Sequence, residues 1–346
     1  MRNTAPPRVN LYSDTQTRPT QAMRQAMAEA ECGDEQHFDD PTVALLCARM
    51  AALLGKEDAM FLPSGTMCNE IAILVQVRPG EEIIAHETAH IITSEGGGPA
   101  ALAGAMIRPL TGALGQFDAA DVEAAIRPDS RYQPRTVMLE VEQTANLGGG
   151  SVWPLARIQA VAKVAQARGL KLHMDGARLM NAVVASGVPA KTFAAPFDSV
   201  WVDFTKGLGA PLGAVLAGSK PFIAEAWRWK QRLGGSMRQA GIVAAGCLYA
   251  LDHHVERLAE DHANARALAA RLAAIPGVVH VVPPETNLVF ADLDRPAQPV
   301  ADAAAAHGLW VSVMGPRRLR ACTHLDVSAA QCEEAAEVLR TVLTQG

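Results

Sequence analysis

Short apolar runs alternate with longer stretches of helical period over the first two thirds of the chain. Residues 82–85, 136–141, 170–174, 199–204 and 213–217 are compact, apolar and too brief for helices, so they read as strands covered on both faces. Between two of them, residues 154–168 have an amphipathic period, open on Pro154 and stop before Gly169, the usual punctuation of a helix. A second helix is expected over residues 67–75, directly after Ser64, Gly65 and Thr66. Strands alternating with helices in this way predict an α/β fold with a mainly parallel sheet and helices on both faces. Ligands on such sheets gather at the carboxyl ends of the strands.

The texture changes after Gly241. Residues 242–272 are rich in alanine and leucine with few breakers, which predicts one long helix or two in series. Strands are then expected over residues 277–282, 287–293 and 309–313, with helices over 298–307 and 329–343. We therefore expect a large domain over residues 1–250, including the N-terminal arm, and a smaller C-terminal α/β domain over 251–346. No low-complexity linker separates them, and the repeated alanine pairs form no fixed-period repeat.

At 346 residues the chain is long enough for a large core, and half of it is hydrophobic. No run of eighteen apolar residues is present, so no membrane-spanning helix is expected. The first ten residues lack the apolar stretch of a secretory signal, which makes the cytoplasm the default location. The six cysteines form no CxxC pair and suggest neither zinc nor disulfides, and no metal site is expected. A formal charge of −5 with mixed signs gives no basic patch for nucleic acid. Small molecules are the expected partners.

Three residues change the picture. Lys206 follows a strand-like run and precedes a glycine-rich turn, a place where an amine is held still near the end of a sheet. Asp175 closes another strand-like run, and Arg178 follows it. Singly they read as a surface lysine, a helix cap and its ion-pair partner. Together they are what pyridoxal phosphate (PLP) chemistry requires: an amine to hold the cofactor, a carboxylate to keep its pyridine nitrogen protonated, and a cation for an anionic group. Ser64, Gly65 and Thr66, ahead of a helix, could supply an anion site for the phosphate.

The chain resembles the low-specificity threonine aldolases, PLP enzymes of the aspartate-aminotransferase group. The resemblance rests on the runs at 12–20, 39–43, 63–69, 89–91, 234–239 and 323–328, taken in order with the Asp175 and Lys206 motifs. It implies PLP fold type I, with a seven-stranded type of sheet sandwiched by helices, and retro-aldol cleavage of a β-hydroxy-α-amino acid of threonine, allo-threonine or phenylserine type. It also implies that Ser64, Gly65 and Thr66 bind the phosphate, that His90 stacks on the cofactor ring, and that Ser13, Arg178 and Arg320 hold the substrate carboxylate. A homodimer or homotetramer with shared sites is implied as well, in which Arg232 or Arg238 reaches a neighbour's site. His90, or a water near the phosphate, would take the proton from the β-hydroxyl.

Three segments depart from the family pattern. His37 and Phe38 stand where a tyrosine and a glycine are usual, Ala145 stands where a histidine is usual, and Gln231 replaces a lysine associated with the phosphate, with Arg232 after it. These changes suggest a reshaped substrate pocket, with His37 and Phe38 among its residues and a bulkier or aromatic substrate. Another PLP reaction, β-elimination or transamination, is the alternative within enzymes. A non-catalytic binding relative is the more remote one.

Overall fold

The computed structural model describes residues 6–345 and is built around a seven-stranded sheet. In chain order the strands of the molecule are β1 (Val9–Asn10), β2 (Asp58–Leu62), β3 (Glu82–His86), β4 (Met106–Leu110), β5 (Thr136–Glu142), β6 (Lys171–Gly176), β7 (Ser199–Asp203), β8 (Ala214–Gly218), β9 (Val278–Val282), β10 (Leu288–Leu293), β11 (Leu309–Trp310), β12 (Ser312–Gly315) and β13 (Arg318–Cys322). The large sheet has the order β2-β8-β7-β6-β5-β3-β4, and only β8 runs against its neighbours. The expected fold class is therefore the one found.

Because side chains alternate along a strand, each face of this sheet feeds a different core. Val200 and Val202 of β7 join Leu172, Met174, Val215 and the helices Pro41–Leu54 and Leu155–Ala167 on one face. Trp201 between them joins Met60, Leu62, Leu216 and the helices Gly65–Gln76 and Lys220–Arg232 on the other. On that second face β5 and β6 carry charge instead of hydrocarbon. Glu140 lies beside His173 and Glu142 beside Asp175 in register, all four buried. A polar column under helix Gly65–Gln76 is what positions the site.

The C-terminal unit is a four-stranded antiparallel sheet, β12-β13-β10-β9, packed on the helices Leu258–Ala273 and Ala329–Gln345. Val9 pairs with Leu309 and Asn10 with Trp310, and Val9 and Leu11 are buried in this unit's core, so the N-terminal arm is anchored there. The run at 242–272 forms two helices, Gly241–His253 and Leu258–Ala273, the first of which spans the expected 250/251 boundary. No helix among the described residues is long and apolar enough to cross a membrane.

Candidate active site

Asp175 lies near the carboxyl end of β6 and Lys206 three residues past the end of β7. The two strands are neighbours, with Asp175 opposite Trp201. The turn carrying Lys206 is closed by backbone hydrogen bonds from Phe204 to Gly213 O and from Ala210 to Phe204 O, at 3.0 and 2.8 Å. Gly209 within it has φ +74, a conformation that glycine adopts without penalty. Asp203 Oδ1 accepts from Thr205 N and Oγ1 at 2.8 and 2.7 Å, while its Oδ2 pairs with Lys206 Nζ. Lys206 is thus an immobilised amine, 5.7 Å from the centre of the Trp201 indole.

Asn69, on the first turns of helix Gly65–Gln76, links the polar column together. Its Nδ2 donates to Asp175 Oδ2 at 2.9 Å and to Glu95 Oε1 at 2.7 Å. Its Oδ1 accepts from Trp201 Nε1 at 2.6 Å and lies 2.9 Å from His173 Nε2. An amide oxygen accepts only, so His173 carries its proton on Nε2 and its Nδ1 accepts from the Ser199 hydroxyl, 2.8 Å away. Burial, partly opposed by Asp175, lowers the pKa of this imidazole to about 4. Glu95 Oε1 also lies 2.7 Å from His90 Nδ1. Asp175 and His90 therefore share one hydrogen-bonded chain through Asn69 and Glu95.

Asp175 itself is 1% exposed, and its Oδ1 takes the N–H of Ala177 at 3.0 Å. Among the described residues no cation pairs with it. A buried carboxylate without a counter-ion is costly, and each oxygen here has lone-pair capacity beyond its one donor. That arrangement fits the protonated nitrogen of a pyridine ring. His90, Glu95 and Asp175 lie close enough together to suggest metal ligands, but the Asn69 amide already sits between two of them as a donor.

Ser64 caps helix Gly65–Gln76, its Oγ accepting from Met67 N at 3.3 Å. The N–H groups of Gly65 and Thr66 are in the first turn, where no intrahelical carbonyl reaches them. Gly65 is pressed onto Trp201 so closely that a Cβ there would stand 2.1 Å from the indole. The helix end with its positive dipole is thus held against the same tryptophan that faces Lys206.

Arg178 follows β6 and Arg320 comes from the C-terminal unit, and the N-terminal arm supplies partners to both. Arg178 is buried, donating from Nε and Nη2 to the two oxygens of Asp14, each at 2.7 Å. Burial alone would raise the Asp14 carboxyl, but the Arg178 guanidinium, with Lys206 and Asn287 adding, holds it well below the usual carboxylate range. Arg320 on β13 donates to Ser312 Oγ at 3.1 Å, Asn146 Oδ1 at 3.2 Å and Tyr12 O at 3.3 Å, which brings it beside Ser13. Ser13 Oγ in turn accepts from Thr15 N at 3.2 Å.

Within the chain the structure gathers Lys206, Asp175, His90, Asn69 and the Ser64–Thr66 turn at one end of the sheet, and Ser13, Arg178 and Arg320 as a second group through Asp14 and Asn146. It does not bring His37, Phe38, Arg232 or Arg238 onto them. Phe38 is 72% exposed and packs edge-on against Trp227, ring centres 5.0 Å apart. Arg232 stacks on Trp229 at 4.5 Å, and Arg238 pairs with Asp34 at 2.7 Å. Next to Gln231, Lys230 is fully buried, paired with Glu35 and donating to Phe61 O at 2.8 Å. Ala145 is buried in a bridge to Ser151. This ridge still flanks the Ser64–Thr66 turn, since a Cβ on Gly235 would meet Met67 Sδ at 2.3 Å.

Sequence reasoning missed Asn69, Glu95, Asp14 and Lys230. The one signal available was a pair of polar residues, Asn69 and Glu70, inside an otherwise apolar helical run.

A family model described as beta-eliminating lyase matches residues 10–296. The chain belongs to that family. It is 40% identical over 94% of both chains to a probable low-specificity L-threonine aldolase 2 of Arabidopsis thaliana. To the low specificity L-threonine aldolase of Escherichia coli K12 it is 39% identical, over 97% of this chain and 100% of the relative. Among solved structures, the threonine aldolase of Leishmania major aligns with a TM-score of 0.83 over 97% of this chain and 99% of that one, at 21% identity. An SPT solved with PLP aligns with a TM-score of 0.74 over 99% and 92% of the two chains, at 15% identity. The resemblance read from the motifs is thereby borne out, and these likenesses establish the fold.

Proposed function

We propose that this lyase is a PLP-dependent aldolase that cleaves a β-hydroxy-α-amino acid into glycine and an aldehyde. The observation that carries the reading is the placement of a buried Asp175, unpaired with any cation among the described residues, and the immobilised amine of Lys206 at the carboxyl ends of adjacent strands. Near-complete alignment with aldolases of about 40% identity supports it. When bound, PLP supplies an electron sink for the pair released by Cα–Cβ cleavage. Lys206 is the amine that would hold the cofactor, Asp175 would keep its ring nitrogen charged, and Ser64, Gly65 and Thr66 would receive its phosphate. Arg320 and Ser13 hold the substrate carboxylate, joined by Arg178, which Asp14 fixes in place. His90 would lie against the bound ring and would take the β-hydroxyl proton.

His37, Phe38, Arg232 and Arg238 contribute in a homodimer or homotetramer, from the ridge beside the Ser64–Thr66 turn to a neighbour's site. With Ala145 in place of a histidine, the side-chain pocket favours a bulky or aromatic β-substituent. Borohydride reduction followed by peptide mapping should tag Lys206, and label on another amine or on none would remove the reading. A panel of threonine, allo-threonine and phenylserine should show the highest kcat/KM for phenylserine; a preference for plain threonine would refute the pocket argument. Release of ammonia with a keto acid, instead of glycine with an aldehyde, would establish β-elimination, the reaction in the family's description.

A further inference from the structure

Behind His90 lies a second carboxyl that the reaction above does not use. Glu70 follows Asn69 on helix Gly65–Gln76 and is 4% exposed. Neither of its oxygens, nor Glu95 Oε2, has a hydrogen-bond donor among the described residues other than the two acids themselves. Gly98 closes over it so tightly that a Cβ would stand 1.7 Å from Glu70 Oε1. No cation pairs with Glu70 among the described residues, so nothing offsets two negative charges in contact. Two abutting buried carboxyls in that position hold one proton between them.

We propose that Glu70 is a positioning residue: as a neutral acid it donates its proton to Glu95 Oε2, leaving Glu95 Oε1 to accept from Asn69 and from His90 Nδ1–H. The rest follows from valence. With Nδ1 protonated, His90 presents a bare Nε2 on the opposite edge of its ring, where no hydrogen bond is made among the described residues. Glu70 thus sets the tautomer of the base without touching substrate.

The electrostatics agree in direction. Burial, then the charge and hydrogen bond of Glu95, push Glu70 up to about 8. Burial works against a charged His90, but Glu95, Asp175 and Glu142 together raise its pKa, so the bare Nε2 belongs to the neutral imidazole present above that raised value. Glu142 is itself pushed up to about 7 by burial and Asp175, and Glu140 in the same column is raised well above its usual value by burial and by Asp175, Glu142 and Glu95. Above about pH 8 the shared proton leaves, and Glu95 gains a like-charged neighbour.

The proposal rests on the reading of His90 as the base, so its test separates the two. In the purified holoenzyme, the difference infrared spectrum between wild type and Glu70→Gln at neutral pH should show a protonated-carboxyl band in the wild type alone, titrating near pH 8. Nitrogen-15 spectra of labelled histidine, assigned with His90→Asn, should show Nδ1–H in the wild type and in Glu70→Gln, whose amide still donates to Glu95. Glu70→Leu should give mixed tautomers and a kcat lower by about tenfold with little change in KM, short of the roughly hundredfold loss expected on removing the base itself. The fall of kcat/KM above pH 8 should move or vanish in Glu70→Gln. Absence of the carboxyl band, or an Nδ1–H tautomer untouched in Glu70→Leu, overturns the role of Glu70. If instead both spectroscopic results hold and no aldehyde forms from any β-hydroxy amino acid, Glu70 stands and the aldolase reading falls.

Discussion

At the scale of single residues, the decisive feature is a charge left without a partner. Asp175 is buried, receives only neutral donors, and has its free capacity at the end of β6. Replacing it by asparagine keeps the shape and the bond from Ala177 but removes the charge that a protonated ring nitrogen needs. Asp175→Asn should lower kcat by about a hundredfold or more, the scale on which preorganised electrostatic groups act. Far-ultraviolet circular dichroism should remain that of the wild type, and an active variant would count against the assigned role. Lys206 and Asp175 were legible in the sequence because each ends a strand-like run in a recognisable motif. Asn69 was not, because what makes it matter lies 104, 106 and 132 residues away, on His173, Asp175 and Trp201. Asp14 was hidden for the same reason: its meaning is a bidentate bond to Arg178 across 164 positions.

Among the elements, helix Gly65–Gln76 does most to assemble the site, since its N-terminus, Asn69 and Glu70 all act on it. Gly65 is required by contact, not by backbone freedom. A methyl group at 2.1 Å from the Trp201 ring forces the helix or the indole to move, and both carry site residues. Gly65→Ala should destabilise the protein by about 1–3 kcal/mol, as overpacked cores do, and weaken cofactor retention on dialysis. Ser64→Ala removes only the cap, so its effect on stability should be smaller, about 1 kcal/mol, measured by urea denaturation. β3, β5, β6, β7 and β8 were readable from their apolar runs, as was the amphipathic helix between β5 and β6, whereas β2, β4 and the helices Pro41–Leu54 and Lys220–Arg232 were not expected. β13 escaped as well: Leu319 and Ala321 alone carry its alternation into the core, while Arg318 answers Asp292 on β10 and Arg320 turns to Ser312. The break after His253 is set from outside the helix, where His254 Nδ1 lies 2.7 Å from Leu208 O in the loop after Lys206.

For the whole molecule, the seam between the two units is polar and its strength depends on pH. Asn181 of the large unit donates toward His262 Nε2 at 3.2 Å and approaches Asn287 Oδ1 at 3.4 Å, while Asn287 donates to Asp14 at 3.1 Å. His262 must therefore be neutral at Nε2, and burial, with Arg266 adding, lowers its pKa to about 4. His173, in the column beneath the site, has the same value for the same main reason. An unfolded histidine titrates near 6.5, so between about pH 6.5 and 4 the unfolded chain binds more protons than the folded one. The stabilisation from these two residues is complete above that window and is lost as the pH falls through it, at most on the order of 3 kcal/mol for each. Asp14, held low by Arg178, adds its own loss only below about pH 4, the unfolded aspartate value. Glu70 acts with the opposite sign: its raised pKa favours the folded state at low pH, and that contribution fades as the pH rises toward 8. The raised glutamates lose their contribution from about pH 4.3 upward, across the same range in which the histidines gain theirs, so the slope of stability against pH between about 4 and 6.5 is the difference of the two and above 6.5 is set by the glutamates. In urea titrations across pH 4–8, His262→Gln should lower the slope of stability against pH by about one proton's worth between pH 4 and 6.5 and leave the slope above 6.5 unchanged. Equal slopes in the variant and the wild type between pH 4 and 6.5 would show that the seam does not depend on a neutral His262.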